Sequence, residues 1–152
     1  MEKKTTYKAE GLVALISVIR EQANGYIESE LKKCGAHGLL PAHGVILGYL
    51  YRSGGSAVIT DIVRVSKKAK STITVMVNTL EKYGYITKND NPDDGRSCII
   101  SLTKRAIELE PQFKRISDEM NAKLLRGLSD DEQQTMMKLL YTVRDNFFTN
   151  NG

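Results

Sequence analysis

The sequence predicts a mainly α-helical fold with one small β-hairpin, and three observations support this fold class. Apolar residues recur at steps of three and four along most of the 152 residues, as in helices with one buried face. Two short stretches, Tyr85–Lys88 and Ser97–Leu102, have the composition of strands, and the segment between them, 89–96, is rich in Asn, Asp, Pro and Gly. The chain length suits one domain, so we expect residues 1–152 to form a single chain fold.

Four helices are predicted before the hairpin. The first, Leu12–Lys33, has apolar residues at helical spacing along one face. The second, Pro41–Arg52, begins with a proline, which the first turn of a helix accepts, and stops before a Ser-Gly-Gly segment. A short helix, Thr60–Ser66, and a longer one, Ser71–Tyr83, flank a tight polar turn, and Gly84 ends the longer helix. Two helices around a tight turn form a helix-turn-helix.

Two further helices are predicted after the hairpin. Thr103 can cap a helix that runs to Arg126, and Pro111 inside it should kink the segment 107–110 because proline removes one backbone hydrogen bond. The sequence Ser-Asp-Asp-Glu at the start of Ser129–Phe148 is a capping box that opens the last helix. We expect Asn150–Gly152 to fray.

The helix Ser71–Tyr83 has an outward side of unusual composition. Helical spacing directs four apolar residues inward: Ile73, Met76, Val77 and Leu80. It leaves a set of residues that we name the outward face: Ser71, Thr72, Thr74, Val75, Asn78, Thr79 and Lys82. Small hydrogen-bonding groups and one exposed methyl-bearing residue can enter a major groove and contact base edges.

Positive charge accompanies this face. Lys67, Lys68 and Lys70, which we name the basic turn, lie at the N-terminus of the helix, where the helix dipole also favours a phosphate. The formal net charge of the chain is +4. The pattern indicates double-stranded DNA as the partner, with phosphates setting position and the groove setting sequence.

Residues 57–103 resemble the DNA-binding lobe of the MarR family of winged-helix regulators. Three motifs carry the resemblance: the helix-turn-helix from Thr60-Asp61-Ile62-Val63 through Ser71-Thr72-Ile73-Thr74, the stretch Leu80-Glu81-Lys82-Tyr83-Gly84-Tyr85-Ile86, and Asp94-Gly95-Arg96 leading into Leu102-Thr103. The resemblance implies a winged helix-turn-helix in which Arg96 lies at the wing, held by Asp94, and reaches toward the minor groove. Asp93 departs from the family pattern, since many members carry a basic residue there.

The resemblance also implies a domain organisation and a function. Residues 57–102 would form the DNA-binding lobe, and residues 7–56 and 103–149 would supply the long helices of a dimerisation region with a connecting helix. A homodimer would place two copies of the outward face one DNA turn apart, which suits a palindromic operator. The expected function is a sequence-specific transcriptional regulator, a repressor, modulated by a small-molecule effector. A monomeric helical bundle is the alternative use of the apolar helix faces.

The sequence does not identify the effector. The resemblance implies an effector pocket between the dimer region and the lobes. Its candidate lining residues are Tyr26, His43, Tyr49 and Tyr51, although such residues are more often ordinary packing residues. Cys34, His37 and His43 are weak candidates for metal ligands because no fourth ligand is evident. Cys34, beside two lysines, is alternatively a redox-sensitive thiol. We expect no cofactor and no bound metal.

Other classes of protein fit the sequence less well. The apolar segment Leu12–Ile19 is too short to span a membrane and lacks a cleavage site, so we expect a cytoplasmic protein. There is no phosphate-cradling Gly-rich loop and no nucleophile with a base nearby, so we expect no enzyme. A winged helix that binds a protein partner instead of specific DNA is the alternative function.

Overall fold

The structure, a computed structural model, describes residue 8 and residues 11–148 of the chain. In this part of the chain the elements, in order, are α1 Leu12–Lys33, a 3-10 turn Pro41–His43, α2 Gly44–Arg52, β1 Ser56–Val58, α3 Ile59–Ser66, α4 Lys70–Lys82, β2 Ile86–Asp90, β3 Cys98–Leu102, α5 Lys104–Leu124 and α6 Asp130–Asp145. This is a winged helix-turn-helix with long helices before and after it, which confirms the predicted fold class. The segment Asn150–Gly152, predicted to fray, lies outside the described residues.

The sheet has three strands where the sequence predicted a two-stranded hairpin. β3 is central and pairs antiparallel with β1 on one side and β2 on the other, so that Ile100 lies opposite both Ala57 and Lys88. The hairpin itself is shifted, because β2 begins at Ile86 and not at Tyr85. The connection that forms the wing is therefore residues 91–97.

The second predicted helix also needs correction. Residues 41–52 were expected to form one helix, but a 3-10 turn, Pro41–His43, precedes α2. The backbone amide of His43 donates to the carbonyl of Leu40, and the ring Nδ1 of His43 accepts from the amide of Leu40, each at 3.0 Å. These two bonds close a tighter turn than an α-helix makes.

The core of the first compact unit, which ends at Ser117, lies between the helices of the winged helix and the sheet. Ile46, Ile62, Ile73, Leu80 and Ile100 are almost fully buried there. Each such side chain contributes roughly 1.5–3 kcal/mol through its removal from water. The inward side of α4 therefore packs against the fold and leaves its opposite side to solvent.

Within the same unit a buried acid joins α1 to α5. The carboxylate of Glu30 accepts from Lys33 Nζ at 2.5 Å and from the two terminal nitrogens of Arg115 at 3.2 and 3.3 Å. The hydrogen bond from Lys33, followed by that from Arg115, holds the pKa of Glu30 below its usual value despite its burial. Burial of an ionised carboxylate costs free energy, and the ion pairs with Lys33 and Arg115 offset that cost.

The second compact unit begins at Asp118 and contains α6. The predicted capping box is confirmed: Ser129 Oγ accepts from the amide of Glu132 at 3.3 Å, and Glu132 Oε2 accepts from the amide of Ser129 at 2.8 Å. The preceding helix, α5, begins with the predicted cap, since Thr103 Oγ1 accepts from the amide of Ala106. α5 is continuous through Pro111, and the kink stays a prediction.

Candidate nucleic-acid interface

The outward face of α4 is exposed as the sequence predicted. Ile73, Val77 and Leu80 are buried and Met76 is half-buried, which orients the helix. Every member of the outward face is exposed except Thr79, which is half-buried. Val75 stands at its centre with 65% of its surface exposed.

The hydroxyl groups on this face fall into two classes. Thr74 Oγ1 donates to the carbonyl of Lys70 at 2.9 Å, and Thr79 Oγ1 donates to that of Val75 at 3.0 Å. Their protons are therefore used within the helix, leaving only acceptor capacity for an outside group. The hydroxyls of Ser71 and Thr72 make no hydrogen bond to any described residue. These two side chains near the N-terminus of α4 can both donate and accept.

The basic turn is exposed along its whole length. Lys67 adopts the left-handed conformation with φ 56°, and among the described residues it is the only non-glycine residue with a positive φ. Arg64, near the end of α3, adds a further exposed cation and is paired with Asp61 at 2.9 Å. Arg64 is not among the contact residues that the sequence predicts, although it lies only three positions before Lys67.

The left-handed residue gives a test of the turn. We expect Lys67→Asn to raise the free energy of unfolding by about 0.5–1 kcal/mol, because asparagine tolerates this conformation better than lysine. We expect the same substitution to lower the salt slope of DNA binding by about 0.9 for each copy of the chain bound, because each copy loses one phosphate contact. Urea unfolding and a salt titration measure both effects. An unchanged salt slope would contradict a phosphate contact at this position.

A lysine of the wing strand β2 contacts the outward face. Lys88 Nζ lies 2.9 Å from Asn78 Oδ1 and 2.9 Å from Glu81 Oε2. Asn78 and Glu81 are three residues apart on α4 and therefore lie on one side of the helix. Glu81 is the only acidic residue of α4, and the contact with Lys88 compensates its charge. Lys88 is not among the contact residues that the sequence predicts.

The tip of the wing is a hydrogen-bonded turn. Asp94 Oδ1 accepts from the backbone amide of Arg96 at 3.0 Å, and the Asp94 carbonyl accepts from the amide of Ser97 at 3.1 Å. Asn91 donates to Ser97 Oγ and accepts from the amide of Asp93. Asp94 thus holds Arg96 through the backbone and leaves the exposed guanidinium without an ion pair among residues 11–148.

The end of α4 is fixed by a buried tyrosine. Tyr85 Oη donates to the carbonyl of His37 at 2.7 Å and accepts from Arg105 at 3.1 Å, while Arg105 also donates to the carbonyl of Tyr83 at 2.7 Å. Burial raises the pKa of Tyr85. A Cβ atom on Gly38 would lie 2.4 Å from the Tyr83 ring, so only glycine fits this loop position. The loop before α2 therefore packs directly on the C-terminus of α4.

The candidate effector residues lie in or against the core. Tyr26, Tyr49 and Tyr51 are partly buried and pack on it. Tyr51 Oη donates to the carbonyl of Ala106 at 2.6 Å, and its ring lies 5.9 Å from that of Phe113. Burial raises the pKa of Tyr51 far above its usual value. These contacts give Tyr51 a packing role whether or not it meets a ligand.

The weak metal candidates have other partners. His43 is buried and its Nδ1 accepts from Leu40, as described above. The Cys34 thiol donates to the carbonyl of Leu31 at 3.3 Å. In the part of the chain that the structure describes, no three His, Cys, Asp or Glu side chains come together in a way that could hold a metal ion. Cys34, His37 and His43 thus do not form such a group.

The buried histidine predicts a pH dependence of stability. Burial lowers the pKa of His43 below its usual value. The stabilisation that comes from burying the neutral imidazole is therefore fully present above about pH 6.5. It is lost as the pH falls through the pKa that His43 has in the folded protein. Protonation of Nδ1 also removes the acceptor that the Leu40 amide uses.

We therefore expect the urea midpoint to fall between pH 7.5 and pH 5.5, and the fall to be smaller in His43→Gln. His37→Gln, at the exposed histidine of the same segment, is the matched control and should retain the wild-type dependence. Equal pH dependence in His43→Gln and wild type would refute this assignment.

Comparison with known proteins supports the fold and relates part of the chain to a known family. Residues 37–97 match the model of the MarR family. The HTH-type transcriptional regulator SarZ of Staphylococcus haemolyticus is 32% identical over 77 residues, which are 51% of this chain and 51% of that protein. The matched segment thus spans about half the length of that curated relative. No helix among the described residues is long and apolar enough to cross a membrane.

Solved structures extend the likeness to nearly the whole chain. The MarR protein from Peptoclostridium difficile has a TM-score of 0.79 at 19% identity, over 97% of this chain and 92% of that one. A mutant MarR from E. coli complexed with operator DNA has a TM-score of 0.73 at 18% identity, over 90% of this chain and 99% of that one. At these identities the two structures establish the shared fold. The family match covers residues 37–97, which include the helix-turn-helix and the wing connection, and the solved structures extend the likeness in fold alone.

Proposed function

We propose that the chain is a transcriptional regulator, and not an enzyme, that binds double-stranded DNA in a sequence-specific manner and represses from a palindromic operator. The observation that carries the proposal is the outward face of α4. It is exposed, consists of small polar groups around Val75, and adjoins the basic turn. The acid of this helix, Glu81, is paired with Lys88 and so does not oppose a polyanion with a free charge.

The proposed docking follows from the positions of these groups. α4 enters the major groove with Ser71, Thr72 and Val75 toward the bases, and the basic turn contacts phosphates at the N-terminus of the helix. The exposed guanidinium of Arg96 reaches the adjacent minor groove from the wing. The solved relative in complex with operator DNA supports this arrangement by analogy of fold.

We also propose that the functional form is a homodimer. The first turns of α1 are apolar on all sides and remain exposed in the single chain, which favours burial against a second copy. The exposed residues are Leu12, Val13, Leu15, Ile16, Val18 and Ile19. In this proposal residues 7–56 and 103–149 supply the dimerisation and connecting helices, and residues 57–102 form the DNA-binding lobe.

The proposal includes a small-molecule effector and a cytoplasmic location. An effector can act only through different affinities for the DNA-competent and the DNA-incompetent forms. The candidate contacts are Tyr26 on α1, His43 in the 3-10 turn, and Tyr49 and Tyr51 on α2; the three tyrosines pack against the core and His43 is buried.

A salt titration of duplex binding tests the proposed function. Each phosphate neutralised by a cation contributes about 0.9 to the slope of log affinity against log salt, so a dimer using Lys67, Lys68, Lys70 and Arg96 should show a steep dependence. Light scattering of the free protein should give the mass of a dimer. Absence of duplex binding at low salt would contradict the proposal and favour a winged helix that binds a protein partner.

A further inference from the structure

The contact between the wing strand and the outward face orients one amide group. Lys88 Nζ reaches Asn78 Oδ1 and Glu81 Oε2, each at 2.9 Å, and 33% of the Lys88 side chain stays exposed. The three polar ends therefore form one cluster on the surface of α4. We name this group the Lys88 cluster: Asn78, Glu81 and Lys88.

The chemistry of the cluster fixes which end of the amide faces Lys88. An ammonium group only donates hydrogen bonds, so the amide atom beside it must be the oxygen and not the nitrogen. The nitrogen Nδ2 is then turned away from Lys88. The Glu81 carboxylate compensates the charge of Lys88 and keeps its ammonium near Asn78.

We propose that Lys88 is a positioning residue that sets the base preference of Asn78. This inference rests on the proposed function, because it concerns how the outward face reads DNA. An asparagine that recognises adenine uses its oxygen to accept from N6 and its nitrogen to donate to N7, side by side. The bond to Lys88 keeps the oxygen of Asn78 directed at the ammonium group, so that the nitrogen, with its two N–H donors, is the end of the amide left to face a base.

The preferred base edges follow from these donors. Guanine offers O6 and N7 as acceptors and thymine offers O4, and neither base presents an amino group in the major groove. Adenine also offers N7, but the amino group beside it needs an acceptor, as does the amino group of cytosine. Asn78 therefore favours guanine or thymine over adenine and cytosine at the position it contacts. A lysine that contacts no base thereby determines specificity.

Selection of bound duplexes from a random library tests the inference. Asn78→Ala first identifies the operator position that depends on Asn78, since preference there should be lost. Wild type should favour guanine or thymine at that position. Lys88→Met should shift the preference toward adenine by about tenfold in relative affinity, because the freed oxygen can then accept from the amino group.

Two matched variants separate positioning from simple support of the fold. Lys88→Arg retains donors for Asn78 and should keep the wild-type preference. Glu81→Gln removes the ion pair, but the amide oxygen of glutamine can still accept from Lys88 and hold its ammonium near Asn78, so this variant should also keep that preference. A thermal melt of each variant confirms that it is folded.

The outcomes are distinct. An adenine preference in wild type at the Asn78-dependent position, or an unchanged preference in Lys88→Met, overturns the inference while leaving the proposed function intact. If wild type enriches no sequence at all, the proposed function fails, and the inference fails with it.

Discussion

Val75→Glu is expected to reduce the affinity for operator DNA by roughly 100-fold or more. Val75 lies at the centre of the outward face, and a carboxylate there would be brought against a polyanion and stripped of water, at a cost of several kcal/mol. Because Val75 is 65% exposed, the free energy of unfolding should change by no more than about 0.5 kcal/mol. Fluorescence anisotropy with a labelled duplex and urea unfolding measure the two effects.

Val75→Ala is the matched control for this substitution. It removes only methyl groups, so we expect the affinity to fall a few-fold and the base preference at one position to relax. A Val75→Glu variant that binds DNA within threefold of wild type would show that α4 does not enter the groove.

The second large effect is expected from Ile16→Glu. Ile16 is 42% exposed on the apolar first half of α1, and a charge there cannot be buried against a partner without a large desolvation cost. We expect the mass in light scattering to fall from that of a dimer to that of a monomer. The affinity for an operator with two half-sites should fall by a factor on the order of 100 to 10,000, because the two copies of the chain are no longer joined and bind their half-sites independently.

The variant should nonetheless remain folded. The winged-helix core around Ile73, Leu80 and Ile100 does not include this part of α1. Glu28→Gln, at an exposed polar position farther along the same helix, is the control and should stay dimeric. A dimeric Ile16→Glu protein would refute the assignment of α1 to the interface.

The elements that the sequence predicted well are those with a repeating local signal. α1, α4 and α6 each present apolar residues at helical spacing, and α6 also has a capping box, so their existence could be inferred from the residues alone. The sequence did not predict β1, because three residues are too few to show an alternation of apolar and polar residues, and the strand with which β1 pairs lies more than forty residues away. Tyr85 was assigned to a strand because aromatic residues favour strands, but tertiary packing buries it just before β2.

The candidate site also has one part that the sequence predicts and one part that it does not. Exposure of the outward face follows from the periodicity of α4. The hydrogen bonds from Thr74 and Thr79 to the preceding turn are a common local pattern of threonine in helices, which the sequence could have suggested. The contact between Lys88 and Asn78 joins a strand to a helix across a turn and depends on their relative placement in space. No spacing rule in the sequence predicts that contact.

The most direct test of the proposed function is the selection of duplexes bound by the wild-type protein at physiological salt. A dimeric sequence-specific regulator should enrich an inverted repeat whose half-sites are centred one DNA turn apart, about 34–36 Å, because a two-fold dimer presents two copies of α4. An enriched pool with no shared sequence, or with a single unrepeated site, would contradict a dimeric sequence-specific regulator.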